Sequence, residues 1–311
     1  MVLILVCLLV AIIVVYATLR MRRYPLDRGL RILAPLSYPL FLVRRPVLRF
    51  ANSVIRHMPG GKPLEGMEVR RGDIDGVKVT LYRPEGVGDG DILVYFHGGG
   101  FFLEAAPYLR RKCMRYALGA GIPVLAVDYR TSDRFPWPAQ LEDAVKVLTH
   151  VAPKAKRIAI GGDSAGGMIA QSLATWAGRN GIAIGFLMLV YPVLDRRMET
   201  ASMKDFTRSP AWNSRLSRRM WSILLSGSSA FENPAELDDF SHQPTTYIEA
   251  ARFDCLRDEA LVFASRLEEH HVSVECHLVE GACHGYDVLE SSRTARTMLA
   301  QRIEALKKAF S

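Results

Sequence analysis

The chain has 311 residues, of which 49% are hydrophobic, so it is long and apolar enough to bury a sizeable core, and this composition argues against intrinsic disorder. Its formal net charge is +8, which by its sum alone would suggest a nucleic-acid-binding protein. The charge is localised, however: residues 20–62 hold nine arginines and one lysine against one aspartate, and the rest of the chain is nearly neutral. A nucleic-acid partner is therefore not expected.

The first predicted element is an apolar helix over residues 1–19. This stretch has no charged side chain and would span roughly 28 Å as a helix, close to the ~30 Å hydrocarbon core of a bilayer. A cleaved signal peptide is the alternative, but it requires basic residues before the apolar run and a small-residue cleavage site after it, and both are missing. We predict a single-pass membrane anchor. The arginines that follow it (Arg20, Arg22 and Arg23) place the rest of the chain on the cytoplasmic side by the positive-inside rule.

Residues 20–66 form a basic juxtamembrane segment, whose arginines are expected to lie against anionic lipid headgroups. An amphipathic helix is predicted within it, because apolar residues at positions 47, 50, 51, 54 and 55 recur at helical spacing. We expect this segment either to lie on the membrane or to cover an active site.

Residues 67–311 are predicted to form one α/β domain. A hairpin about Asp75 and Gly76 opens it, and apolar strand candidates then alternate with helix candidates. The strand candidates are 92–96, 123–129, 157–161, 186–191, 245–251 and 272–280. The helix candidates lie near 107–119, 139–152, 165–179, 258–270 and 290–310. Such alternation predicts a mostly parallel central sheet with helices on both faces. An insertion at about 196–240 is longer than a normal connection and is expected to build a helical cap.

A candidate nucleophile lies between a strand and a helix candidate. Gly162-Asp163-Ser164-Ala165-Gly166 fits the G-x-S-x-G nucleophile elbow, in which a sharp turn exposes the serine oxygen. An ordinary glycine-rich turn is the alternative interpretation. A serine hydroxyl also needs a base to take its proton and donors for the oxyanion, so both should be present elsewhere in the chain.

The oxyanion donors are predicted in a glycine loop. His97-Gly98-Gly99-Gly100 follows an apolar strand candidate, as the H-G-G-G loop of α/β-hydrolases does, and glycine lets the backbone approach a carbonyl oxygen closely. We expect the amides of Gly99 and Gly100, with that of Ala165, to donate to the oxyanion.

The base and its acid are selected by chain order, which in this fold is serine, acid, histidine. His284 follows the last strand candidate in a glycine-flanked loop and is the predicted base. Asp254 follows the preceding strand candidate and is the predicted acid. Asp258 is the alternative, although with Glu259 it opens a helix, where a negative charge has a structural role.

Residues 270–284 contain four histidines and two cysteines, which are the side chains that bind zinc. Cys276 and His277 would point to opposite faces of a strand, and no C-x2-C or H-x3-H spacing is present. No metal and no cofactor are therefore expected. The five cysteines form no regular framework and are expected to be free thiols.

These motifs resemble the hormone-sensitive lipase family of α/β-hydrolases, the bacterial family IV esterases, over roughly residues 86–286. Besides the H-G-G-G loop and GDSAGG, the matching stretches are YRTSDRFPWPAQLEDA, Tyr191 to Asp195, Asp254 to Glu259 and HGY. The resemblance implies the α/β-hydrolase fold, the nucleophile, base, acid and oxyanion donors named above, and a cap built from the N-terminal segment and the insertion. Thr131 to Arg134 departs from the family's L-A-P-E, and LEAA follows the glycine loop where a glycine is common, so the substrate's shape stays open.

The sequence thus predicts a membrane-anchored serine carboxylesterase that cleaves small-molecule or lipid esters through an acyl-enzyme. Two alternatives remain: a catalytically inactive receptor or scaffold on the same fold, and an amidase or acyltransferase with the same triad.

Overall fold

The computed structural model describes residues 2–59, 61–228 and 231–311, with side chains from residue 11 onward. The strands are β1 (Met67–Ile74), β2 (Val77–Pro84), β3 (Asp91–Phe96), β4 (Val124–Asp128), β5 (Arg157–Asp163), β6 (Phe186–Val190), β7 (Thr245–Phe253) and β8 (Val274–Cys283). The α-helices are α1 (Val2–Arg23), α2 (Arg45–His57), α3 (Pro107–Ala120), α4 (Ala139–Val151), α5 (Ala165–Arg179), α6 (Ala201–Asp205), α7 (Ser214–Leu224), α8 (Arg257–Glu269) and α9 (Arg293–Ala309). Each predicted strand and helix after residue 66 corresponds to one of these elements.

The strands form an eight-stranded sheet in the order β1-β2-β4-β3-β5-β6-β7-β8. β2 is antiparallel to both of its neighbours, and every other pair is parallel. The predicted hairpin joins β1 to β2 through Asp75 and Gly76, both at positive φ. The structure confirms the predicted α/β class with a mostly parallel central sheet.

Helices cover both faces of the sheet because its central strands are apolar on both sides. In β3, Val94 and Phe96 join the hydrophobic cluster under α4, α5 and α8, whereas Leu93 and Tyr95 join the cluster under α3 and α9. This alternation follows from the two-residue period of a strand.

The parallel strands bring the predicted site residues to one edge of the sheet. β3, β5, β7 and β8 end one residue before His97, Ser164, Asp254 and His284, respectively. Because the carboxyl ends of parallel strands lie on the same edge, four segments that are distant in the sequence meet there.

A cap covers this edge. It consists of α6 and α7 from the insertion and of α2 from the N-terminal segment. The two parts are joined by hydrogen bonds. Arg219 Nε donates to the carbonyl of Val43 at 3.0 Å, and the amide of Ala211 donates to the carbonyl of Leu36 at 2.9 Å. The expected helical cap is therefore present and draws on both segments.

The predicted amphipathic helix exists as α2, but its apolar stripe faces outward. Phe50 is 71% exposed and Val54 is also exposed, whereas Leu48 and Asn52 are buried. Asn52 packs inward because its side chain bonds the backbone of the glycine loop: Nδ2 donates to the carbonyl of Phe102 and Oδ1 accepts from the amide of Glu104, both at 2.9 Å.

The predicted membrane anchor comprises residues 1–19. Met1 and the side chains of residues 2–10 lie outside the described part of the structure. Among the residues that the structure describes, none of the helices combines the length and the apolar character needed to cross a membrane.

Candidate active site

Ser164 occupies a sharp turn between β5 and α5. Its backbone has φ 55° and ψ −117°, a region that non-glycine residues rarely adopt, and Ser164 is therefore held by its surroundings. Its amide donates to the carbonyl of Val190 at 2.9 Å, and its carbonyl accepts from the amide of Val193 at 3.0 Å. A side chain at Gly166 would collide with the carbonyl of Phe96, which explains the glycine after the serine. The geometry is that of a nucleophile elbow.

The structure brings three predicted side chains into one hydrogen-bonded line. Ser164 Oγ lies 2.9 Å from His284 Nε2, and His284 Nδ1 lies 2.6 Å from Asp254 Oδ2. Because a carboxylate accepts and cannot donate, Nδ1 carries the proton and Nε2 is left to accept from the serine hydroxyl. All three side chains are buried. This arrangement can move a proton from the hydroxyl to the imidazole.

Asp254, and not Asp258, faces the imidazole. Asp254 is fully buried and accepts a second bond, at 3.0 Å, from the amide of Leu256. Asp258 instead accepts from the amide of Ser202 at 2.6 Å and pairs with Arg257 at 2.6 Å. Its role is to hold α6 against the first turn of α8, which removes it as a candidate acid.

The glycine loop lies directly beside the serine. A Cβ built on Gly98 would stand 3.3 Å from the Cβ of Ser164 and 2.7 Å from the carboxylate of Asp163, so only glycine fits this contact. The backbone amides of Gly99, Gly100 and Ala165 donate no backbone hydrogen bond within the described residues. They are available to a ligand oxygen beside the hydroxyl.

His97 fixes this loop rather than joining the line of proton transfer. Its Nδ1 donates to the carbonyl of Gly98 at 2.6 Å, and its ring stacks on Tyr129 with centroids 4.3 Å apart. The Tyr129 hydroxyl donates to the carbonyl of His97 at 2.8 Å. Burial lowers the pKa of His97, although the hydrogen bond to the Gly98 carbonyl opposes this shift. That hydrogen bond and the stacking on Tyr129 hold the ring in place.

Aromatic side chains that the sequence patterns did not single out surround the imidazole. The ring of Tyr191 meets that of His284 edge to face at 4.9 Å, and the ring of Trp212, from the cap, lies 6.1 Å away. Trp212 also packs against Phe102 at 6.3 Å, which ties the cap to the glycine loop. Tyr191 lies in the family-like Y-P-x-x-D stretch, a signal that could have found it, whereas Trp212 lies in no motif.

A buried ionic network supports the site from the α3 and α9 side. Lys112 Nζ lies 2.8 Å from Asp287 and 3.8 Å from Asp163, the neighbour of Ser164. Arg302 forms ion pairs with both Asp287 and Glu249, with nitrogen–oxygen distances of 2.8 and 2.6 Å, respectively. Burial by itself raises the pKa of Asp287, but the Lys112 ammonium and the Arg302 guanidinium hold this pKa below its ordinary value.

Nothing in the described part of the structure forms a metal centre. No group of three or more histidine, cysteine, aspartate or glutamate side chains is placed there to hold an ion. Cys276 is exposed, and Cys113, Cys255 and Cys283 are buried free thiols, while the side chain of Cys7 lies outside the described residues.

Comparisons with known proteins agree with this geometry. Residues 93–288 match the family model of the alpha/beta hydrolase fold. Esterase LipI of Mycobacterium tuberculosis is 32% identical over 208 residues, which cover 63% of this chain and 65% of LipI. Carboxylesterase NlhH of the same species is 30% identical over 226 residues, or 68% of this chain and 71% of NlhH.

Solved structures extend the likeness over nearly the whole chain. Esterase LipW from Mycobacterium marinum superposes with a TM-score of 0.79 at 30% identity and covers 92% of this chain and 96% of its own. A thermostable esterase from Pseudomonas putida gives a TM-score of 0.80 at 26% identity and covers 92% of this chain and 98% of its own. With its sheet order, elbow and family match, the chain belongs to the α/β-hydrolase family, in the group that resembles hormone-sensitive lipase.

Proposed function

We propose that the chain is a serine carboxylesterase. The observation that carries the proposal is the hydrogen-bonded line of Ser164, His284 and Asp254 beside a glycine loop with free amides. The related proteins named esterase and carboxylesterase support ester hydrolysis as the reaction. Within the described residues, no observation favours an inactive receptor, because hydroxyl, imidazole and carboxylate are all present and aligned.

The reaction proceeds in two stages. Ser164 Oγ attacks the ester carbonyl carbon while His284 Nε2 takes its proton, and Asp254 stabilises the resulting imidazolium. The carbonyl oxygen gains negative charge, which the amides of Gly99, Gly100 and Ala165 stabilise. The imidazolium protonates the leaving alcohol, and the acyl group stays on the serine. A water molecule, deprotonated by the same Nε2, then hydrolyses the acyl-enzyme.

A fluorophosphonate probe tests the nucleophile. We expect stoichiometric labelling of the wild type and of Ser241→Ala, an exposed serine, and no labelling of Ser164→Ala. Hydrolysis of p-nitrophenyl esters of graded acyl length by the same samples should fall by about 10⁴-fold or more in Ser164→Ala. Labelling at a serine other than Ser164 would overturn the assignment. Competing amide substrates and alcohol acceptors then distinguish hydrolysis of esters from amidase and acyltransferase activity.

We also propose that residues 1–19 anchor the enzyme in a membrane, with the catalytic domain on the cytoplasmic side. Two observations support this proposal: the segment is uncharged, and exposed apolar side chains are concentrated nearby. Those of the described residues include Ile12, Tyr16, Leu19, Tyr38, Phe41 and Phe50. Such a surface favours an ester substrate that partitions into the bilayer.

Alkaline extraction of membranes from cells that express the full chain tests the anchor. We expect the protein to stay in the membrane pellet, and a chain that begins at residue 20 to be released. Protease added to sealed vesicles of known orientation tests the cytoplasmic placement. Release of the full chain at alkaline pH would refute the anchor without affecting the proposed ester hydrolysis.

A further inference from the structure

A basic cavity lies between the N-terminal helix and the cap. Its volume is about 500 Å³, within the range of pockets that hold small ligands. Three segments enclose it: the last two turns of α1, the loop at residues 37–40 and the cap residues 207–216. The cavity is separate from the catalytic line described above, whose residues do not line it.

The walls of this cavity are strongly positive. Arg20, Arg23, Arg208 and Arg215 line it, and no aspartate or glutamate does. Within the described residues, none of the four forms an ion pair, whereas Arg302 and Arg197, for example, are each paired with a carboxylate. Four guanidinium groups without a counterion at one cavity favour an anionic ligand.

Arg20 is built into the wall rather than lying free on the surface. It is 8% exposed, and its guanidinium donates to the carbonyl of Ala34 at 3.0 Å and to that of Arg208 at 2.5 Å. The remaining nitrogen, Nη2, is buried and has no hydrogen-bond partner within the described residues. An unpaired buried donor is costly, and the Arg20 guanidinium thus holds a positive charge in the cavity wall without a carboxylate partner among the described residues.

The start of α7 adds to the positive potential. This eleven-residue helix begins after Asn213, which lines the cavity together with Arg215 and Leu216. No acidic residue lies in the first turn of α7, but the Asn213 side chain caps the helix, since its Oδ1 accepts from the amide of Leu216 at 3.3 Å. The helix dipole therefore adds only a modest positive potential beside the four arginines.

The rim of the cavity is apolar and open. Tyr16, Leu19, Tyr38 and Leu40 line it and are 41–61% exposed. Basic walls with an apolar rim suit an amphiphile better than a free anion. We propose that the cavity binds the phosphate headgroup of an anionic phospholipid, whose acyl chains lie along this rim. The inference rests on the proposed membrane attachment and is independent of the proposed ester hydrolysis.

Thermal unfolding of the full chain in neutral detergent tests the proposal. The protein is titrated with dihexanoylphosphatidylglycerol, with dihexanoylphosphatidylcholine and with inorganic phosphate. We expect a saturable rise in Tm with the first lipid only, about 4 °C at a hundredfold excess over Kd for a chain of this length. Hydrolysis of a soluble ester is measured in the same samples, so loss of lipid binding and lack of catalysis are distinguishable.

Two double variants with the same loss of charge serve as a matched pair. Arg208→Gln/Arg215→Gln removes two cavity arginines, and we expect the affinity for phosphatidylglycerol to fall by at least about tenfold. Arg22→Gln/Arg28→Gln removes two exposed arginines outside the cavity and should change the affinity by less than about twofold. The absence of a Tm rise, an equal loss in both variants or an equal response to phosphatidylcholine would overturn the proposal. An equal response to inorganic phosphate would also overturn it, because it would identify a site for free anions.

Discussion

Arg302→Met tests the ionic network behind the nucleophile. Arg302 is 1% exposed and bonds both oxygens of Glu249 at 2.8 and 2.6 Å, as well as Asp287 at 2.8 Å. Methionine retains much of the side-chain volume but removes the cation shared by the buried carboxylates of Glu249 and Asp287. Among the residues that the structure describes, Lys112 still pairs with Asp287, whereas no other cation pairs with Glu249. The loss of unfolding free energy in this variant therefore comes mainly from the buried charge left without a counterion, and less from a cavity.

Removing one partner of a buried ion pair costs about 3–5 kcal/mol. The entropy of unfolding, about 2.1 cal/mol/K per residue, amounts to roughly 0.65 kcal/mol/K for this chain length. We therefore expect Tm to fall by about 5–8 °C. Loss of the Arg302 charge also raises the pKa of Asp287, so the variant should lose less stability than the wild type as the pH falls through the acid range.

Thermal unfolding monitored by circular dichroism measures both effects. Arg293→Met is the matched control, because Arg293 is an exposed residue of the same helix and forms no ion pair among the described residues. The Tm of this variant should differ from that of the wild type by about 1 °C or less. In the Arg302→Met background, Glu249→Gln should restore part of the lost stability by removing the orphaned charge. Equal Tm values for the two methionine variants, or no restoration by Glu249→Gln, would refute the reasoning.

Three further substitutions test other contacts. Burial raises the pKa of Glu259 well above its usual range, although two backbone amides donate to its carboxylate. The free energy of unfolding of the wild type should therefore decline as the pH rises from about 4.3, the unfolded-state pKa, through the folded-state pKa. Glu259→Gln should make this decline smaller, as measured by Tm against pH. Asp254→Asn should lower kcat/KM about 10⁴-fold and Asp258→Asn less than tenfold; comparable losses would contradict the assignment of the acid. Asn52→Leu leaves the Phe102 carbonyl unpaired and should lower the free energy of unfolding by about 1–3 kcal/mol, whereas exposed Ser53→Ala should not.

The fold could be predicted from the sequence because the patterns that indicate strands and helices lie within short stretches of the chain. Alternating apolar runs predicted the strands, and the order of strands and helices predicted the parallel sheet. The triad geometry followed from one further fact: carboxyl ends of parallel strands share an edge. Ser164, Asp254 and His284 each come one residue after a strand, so the sheet brings these three side chains together. The motifs alone gave only their order along the chain.

The contacts that the sequence did not predict join residues far apart in the chain. Glu249 and Arg302 are 53 residues apart, and Tyr116 and Arg302 are 186 apart. No periodicity or motif encodes such a pairing. The orientation of α2 was also unpredictable, because an amphipathic pattern defines an apolar stripe but not the surface that it meets. In this helix, Leu48 and Asn52 face the domain, and Asn52 hydrogen-bonds the backbone there.

The chain around Asp27, in the basic juxtamembrane segment, closes over β8, a strand from the opposite end of the chain. The amide of Asp27 donates to the carbonyl of Gly281 at 2.9 Å, and the side chain of Asp27 accepts from Thr294. At a translation rate of about 5–20 residues per second, the ribosome needs roughly 13–50 s after making Asp27 to reach Gly281. Until then the contact of Asp27 with β8 cannot form, although the cap residues that bond Leu36 and Val43 are made earlier. The hydrogen bond between Asp27 and Gly281 therefore forms late in synthesis, after most of the sheet has been made.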